Sequence, residues 1–180
     1  GEDIFVEKNF GASDTVRRRL IHNIITLESD AMENTGFENW RKAVKSFVDQ
    51  IEPKEFYLCT NKGFVEDNFE RSTVEQENMS LEECLAYSEE VDVMIAYKDG
   101  EFVEKAPFPS RYALDDLFEK GKGGKLYIFS PLHYLERNFG YFVFVDSGFP
   151  IENPLYITWL NYMGNCIENI RKQTMLVNAM

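Results

Sequence analysis

The stretch FSPLHYLERNFGYFVFVD, residues 129–146, sets the tightest limit on how this chain folds. Phe129, Tyr134, Phe139, Tyr141, Phe142 and Phe144 run through two strand-like halves, with the charged pair Glu136 and Arg137 at the joint. Aromatic and β-branched residues in two short runs around a polar joint read as a β-hairpin. In the second half apolar residues occupy both alternating faces, so both faces need cover. Such a strand belongs inside a sheet with other elements packed around it.

The rest of the chain supplies those elements. Residues 1–12 read as a loose leader. Ser13 or Asp14 caps a helix whose apolar stripe is Val16, Leu20, Ile24, Leu27 and Ala31, broken at Gly36. A second helix over about 37–51 turns Phe37, Trp40, Val44, Phe47, Val48 and Ile51 inward, and Pro53 stops it. EFYLCTN (55–61) reads as a strand. Residues 66–90 hold nine acidic residues against one basic residue, Arg71, and read as a solvated excursion with a short helix near 80–88. VDVMIAYKDGEFVEKAPF carries a strand, a Lys-Asp-Gly turn and a return strand. Ser110 caps a short helix, RYALDDLFEKG, before the glycines 121, 123 and 124.

The chain then enters a long helix over about 153–178, with Asn153 as its cap and Pro154 at its first position. Tyr156, Leu160, Met163, Ile167, Ile170, Thr174 and Val177 recur at alternating spacings of four and three, the pattern of a coiled-coil seam. Trp159, Tyr162 and Cys166 form an adjacent stripe able to pack on the domain itself. The element order predicts one domain over 1–180 of mixed α/β (α+β) class. Its central antiparallel sheet has about five or six strands within 55–146, and the N- and C-terminal helices lie on one face.

Charge narrows the partners. With 31 acidic against 19 basic residues the net charge is -12, which repels nucleic-acid backbones and anionic membranes. The apolar runs fall short of the roughly 20 residues that span a bilayer, and residues 1–30 lack a signal-peptide core. Three cysteines, Cys59, Cys84 and Cys166, without CxxC spacing fit a reducing cytoplasm better than a disulfide or zinc framework.

Catalytic material is sparse. His22 and His133 are the two histidines; the first reads as a half-buried helix residue and the second as a hydrogen-bonded turn residue or a ligand contact. Asp115 and Asp116 point about 100° apart on a helix, against a paired-carboxylate site. GKGG (121–124) lacks the Ser or Thr of a phosphate loop, and no cofactor is identified. Arg17, Arg18 and Arg19 read as a solvated face, Arg137 as the partner of a nearby carboxylate, and Asn78-Met79-Ser80 as a glycosylation triplet without meaning in the cytoplasm. No enzyme reading emerges.

SPLHYLERNFGYFVFVDSGFP followed by PLYITWLNYMGNCIENIRKQTML resembles a GAF-like sensory domain of clostridial-type signalling proteins, found directly before a GGDEF diguanylate cyclase domain. Pro131 and Leu132, the Leu135–Asn138 turn, the Gly140–Phe144 strand and the 153–178 helix carry the likeness, which is strongest over 125–180. The resemblance implies a cytoplasmic, non-catalytic input domain controlling cyclic di-GMP synthesis by a linked C-terminal output. It also implies a parallel homodimer through the terminal helices, with the seam named above as interface. A small-molecule pocket is expected on the sheet face opposite those helices, lined by Tyr57, Cys59, Tyr97, Arg111, Tyr112, Tyr127, Phe129 and His133. The alternative is a dimerisation scaffold without a ligand.

Overall fold

The computed structural model describes residues 14–15, 18–19, 21–22, 36–70, 78–112 and 124–180. The leader, the apolar stripe from Val16 to Ala31, and Asp115 and Asp116 lie outside the described residues.

Helix α1 spans Phe37–Ile51 and buries Phe37, Trp40, Val44, Phe47 and Val48, the face its apolar spacing predicts. It ends where Glu52 turns left-handed, at φ 45°, its N–H donating to Val48 O before Pro53. Among the described residues six strands follow: β1 (Glu55–Asn61), β2 (Glu90–Lys98), β3 (Glu101–Val103), β4 (Phe108–Pro109), β5 (Tyr127–Tyr134) and β6 (Arg137–Val145). They form one antiparallel sheet in the order β3-β2-β1-β6-β5, with β4 paired to the start of β2. Between β1 and β2 lie a π-helical turn, Glu66–Glu70, and the short helix α2 (Leu81–Leu85). Helix α3 (Phe149–Glu152) precedes helix α4 (Tyr156–Asn178).

β1 and β6 pair at the centre, from Glu55 opposite Val145 to Thr60 opposite Gly140. Both are buried on two faces, as their near-continuous apolar runs require. One face, with Phe56, Leu58, Phe142 and Phe144, meets α1 and α4; the rings of Phe47 and Trp159 stand 4.8 Å apart and those of Phe142 and Trp159 5.2 Å. Each phenylalanine buried in this layer contributes about 1.5–3 kcal/mol. The opposite face carries Tyr57, Cys59, Val91, Ala96, Phe108, Val143 and Val145. Gly140 holds the central pair together. At φ 147°, a Cβ there would lie 2.7 Å from Thr60 Cα and closer still to Cys59 O, so only glycine lets β6 approach β1.

The turns follow the sequence with one adjustment. Asp99 and Gly100, at φ 51° and 89°, make the two-residue turn between β2 and β3. The aromatic hairpin turns on Leu135 and Glu136 alone, tighter than the Leu135–Asn138 turn expected, because Tyr134 still pairs with Arg137. Both sheet edges are blunted: β3 is three residues long, and β5 carries Pro131.

The coiled-coil seam is corrected by burial. Tyr156, Met163, Ile167 and Ile170 lie in the domain's own core, Leu160 packs against it, and Thr174 is half-buried with Oγ1 donating to Ile170 O at 2.9 Å. Among the seam residues Val177 alone is exposed. Trp159 and Cys166 share the same buried side, so the inward face of α4 is broad. Its outward stripe is Ile157, Asn161, Asn165, Asn169, Lys172 and Leu176. The helix also begins later than expected. Asn153 accepts the Leu155 N–H at 3.0 Å, with Pro154 in the intervening turn and α3 just before.

Candidate functional site

Of the eight residues expected to line one pocket, the seven whose side chains are described do not converge. Tyr57, Cys59 and Tyr127 do lie on the face away from α1 and α4, and Phe129 stands 5.7 Å from the ring of Tyr141, which belongs to that same face. Tyr97 does not. It packs in the helix-side core against Phe102. The cause is a β-bulge: Leu58 pairs with Ile95 but Cys59 with Val93, leaving Met94 extra, so side chains after it change faces. His133 is exposed, its ring Nδ1 3.1 Å from Leu135 O. Ser110 and Arg111 belong to a 3-10 turn, Ser110–Tyr112, at the far end of the sheet. Tyr112 has its backbone in that turn, and its side chain is outside the described part.

On the opposite face Glu55, 2% exposed, accepts from Lys125 Nζ at 2.7 Å and from Tyr57 OH at 2.7 Å. That set is internally satisfied and reads as structure. Beside it, burial pushes the Cys59 thiol from its usual 9.0 up to about 12. A thiol so protonated at neutral pH is a poor nucleophile.

Burial likewise raises the phenol of Tyr156 from 10.0 to about 12, and it is the leading cause of the raised values at Tyr141 and Tyr97. These groups keep their protons in the fold while the unfolded chain releases them, so the fold binds more protons above pH 9. Their contribution is complete below about pH 9 and is lost as pH rises toward about 12. The melting temperature should therefore fall steadily across that window. A melting temperature constant to about pH 11 would contradict this burial.

Among the described residues, two concave surfaces lie at the end of the sheet where β1 finishes and β2 and β6 begin. A groove of about 580 Å³ is lined by Lys62, Tyr87, Ser88, Glu89, Glu90, Pro109, Ser110 and Arg111. A second cleft of about 270 Å³ is lined by Asn61, Phe64, Asp67, Asn68, Met79, Glu83, Cys84, Ala86, Arg137 and Asn138, and shares Lys62 and Ser88 with the first.

Local hydrogen bonds build their walls. Asn61 Nδ2 donates to Ala86 O at 3.3 Å and Asn138 O at 3.2 Å, while its Oδ1 accepts from Ser88 N at 3.3 Å. One side chain thus ties β1, the α2 exit and β6. Ser88 Oγ accepts from Lys62 N at 2.9 Å, Ser110 Oγ donates to Ser88 O at 2.7 Å, and Lys62 pairs with Glu90. Ser110 thus fastens the start of β2; most of the helix it is expected to cap lies outside the described residues. α2 is fixed by a reciprocal capping box: Ser80 Oγ accepts from Glu83 N at 3.2 Å and Glu83 Oε2 from Ser80 N at 2.7 Å.

Arg137 departs from expectation. Instead of pairing with a carboxylate, its guanidinium donates to Met79 Sδ at 3.7 Å, and it makes no ion pair among the described residues. The side-chain nitrogen of Asn138 is buried without a partner. Both walls of the cleft rest on α4. The π-helical turn bearing Asp67 and Asn68 contacts it, with Asn178 Nδ2 3.4 Å from Phe69 O. The β5–β6 hairpin that carries Arg137 packs under it, with Lys172 Nζ 5.3 Å from the Tyr134 ring centre.

Among the described residues no three His, Cys, Asp or Glu side chains gather as a metal site, and no helix is long and apolar enough to cross a membrane. No family model, curated protein or solved structure matches the chain.

Proposed function

We propose that this chain is a regulatory input domain, in which occupancy of the cleft between the π-helical turn and the β5–β6 hairpin biases α4. The observation that carries this reading is the seating of α4 on both cleft walls at once. A ligand that draws those walls together acts on a helix already in contact with each, and π-helical turns often mark functional positions.

The remainder of the reading rests on the sequence resemblance. α4 would lead to a GGDEF cyclase output, the domain would be GAF-like and non-catalytic, and it would act in the cytoplasm, which suits Cys59, Cys84 and Cys166, none of them in a disulfide. Pairing of two copies along α4 would fall to the outward stripe from Ile157 to Leu176, since the inward face is occupied. The test is hydrogen exchange along α4 with and without a metabolite that raises the melting temperature. A chain that no metabolite stabilises would be a scaffold instead.

A further inference from the structure

We infer that the smaller cleft takes a small monocarboxylate, held by Arg137. This deepens the input-domain reading and rests on it for the cleft's role.

Arg137 is half-buried at the start of β6, beside a cavity, in a chain with 31 acidic residues. In so acidic a protein a half-enclosed guanidinium ordinarily finds a carboxylate. Here the partner is a thioether sulfur 3.7 Å away, the weakest kind of acceptor. The planar fork of arginine matches a carboxylate with two parallel hydrogen bonds, and charged hydrogen bonds of this kind are about twice as strong as neutral ones. The adjacent residue adds a second unpaired donor: Asn138 Nδ2 is buried without a partner, while its Oδ1 is held by Gly140 N at 3.3 Å. The amide is therefore oriented, and a carboxylate oxygen that reached its nitrogen would satisfy it.

Size and charge select the rest of the molecule. About 270 Å³ admits a metabolite of a few heavy atoms, and Phe64, Met79 and Ala86 offer an apolar wall to its body. Asp67 and Glu83 line the same cleft, so a second negative charge on the ligand meets like charges at short range. Dianions such as inorganic phosphate are disfavoured, and one carboxylate is admitted. Lys62 does not change that balance, because it pairs with Glu90.

The experiment is calorimetric titration of the whole 180-residue chain with acetate, propionate, lactate, glycine and L-alanine. Propionamide serves as the neutral isostere and inorganic phosphate as the dianion. At least one monocarboxylate should bind, propionamide and phosphate should not, and Arg137→Gln should weaken binding by about tenfold or more. Arg137→Lys, which keeps the charge and loses the fork, should fall between the two. The contrast between propionate and propionamide is read on the unmodified protein, so it holds even if a variant folds poorly. No binding of any monocarboxylate at about 10 mM would overturn the inference. So would equal binding of acid and amide, or an unchanged affinity in a folded Arg137→Gln variant. A ligand of another class that still alters α4 would remove the carboxylate and leave the input reading standing.

Discussion

Ile167→Asp is expected to unfold the domain rather than release a folded monomer. Ile167 is 0% exposed and sits in the core formed by α4, α1 and the sheet. Deleting a buried isoleucine side chain costs about 2–5 kcal/mol. A carboxylate in its place adds several more, since Ile167 lies in the apolar core and the buried Arg171 one turn on is already paired with Glu168. The sum is comparable to the roughly 5–15 kcal/mol that holds a whole domain together. Far-ultraviolet circular dichroism should show lost helix and no cooperative melt. On the exposed face of α1, Lys42→Gln should change stability by no more than about 0.5 kcal/mol. A folded Ile167→Asp protein that sediments as a monomer, where the unmodified chain is a dimer, would restore the seam as an interface between copies.

Gly164→Ala should also destabilise strongly, against its local preference. In the middle of a helix, alanine for glycine gains about 1 kcal/mol from propensity alone. Here the new Cβ would fall 3.0 Å from the carbonyl carbon of His133 and closer to its oxygen, both backbone atoms of β5. The backbone cannot rotate out of the way, so α4 must lift from β5 and loosen Met163 and Ile167 beside it. Overpacking of this kind costs typically about 1–3 kcal/mol, and a clash with backbone lies at or beyond the upper end. Urea unfolding should show a lower midpoint with a net loss of about 2 kcal/mol or more. A variant stabilised by about 1 kcal/mol would mean that α4 does not sit this close to β5.

Local features were readable where one short-range rule decides them. The stripe from Phe37 to Ile51 ending at Pro53 gives α1, and Asp99-Gly100 gives the β2–β3 turn. The central antiparallel sheet follows from the number and spacing of apolar runs. The seam was misread for a reason of geometry. A seven-residue repeat drifts only about 20° per heptad from a straight helix, so three heptads stay within the roughly 100° stripe that a helix presents to a core. Spacing alone does not separate the two uses.

Long-range features escaped the sequence. The bulge that moves Tyr97 to the helix face is a property of the β1–β2 pair, and nothing in EVDVMIAYK marks Met94 as the extra residue. The cleft is assembled across the chain, with Asn61 bonded to positions 25, 27 and 77 residues away. Much of its lining comes from the acidic excursion, whose composition reads as solvated. The one local signal there was Ser80-x-x-Glu83, the capping box that anchors α2. Arg137 was singled out in the hairpin turn. Its lack of a carboxylate partner depends on packing that the turn does not encode.

Whether the cleft and α4 act as one element is tested most directly by hydrogen exchange. The chain is measured alone and with a metabolite chosen because it raises the melting temperature. Occupancy should slow exchange at the π-helical turn and at the start of β6, and with them at α4 amides between Lys172 and Asn178, where Lys172 and Asn178 touch the two walls. Protection confined to the cleft, with α4 exchanging as before, would contradict the account.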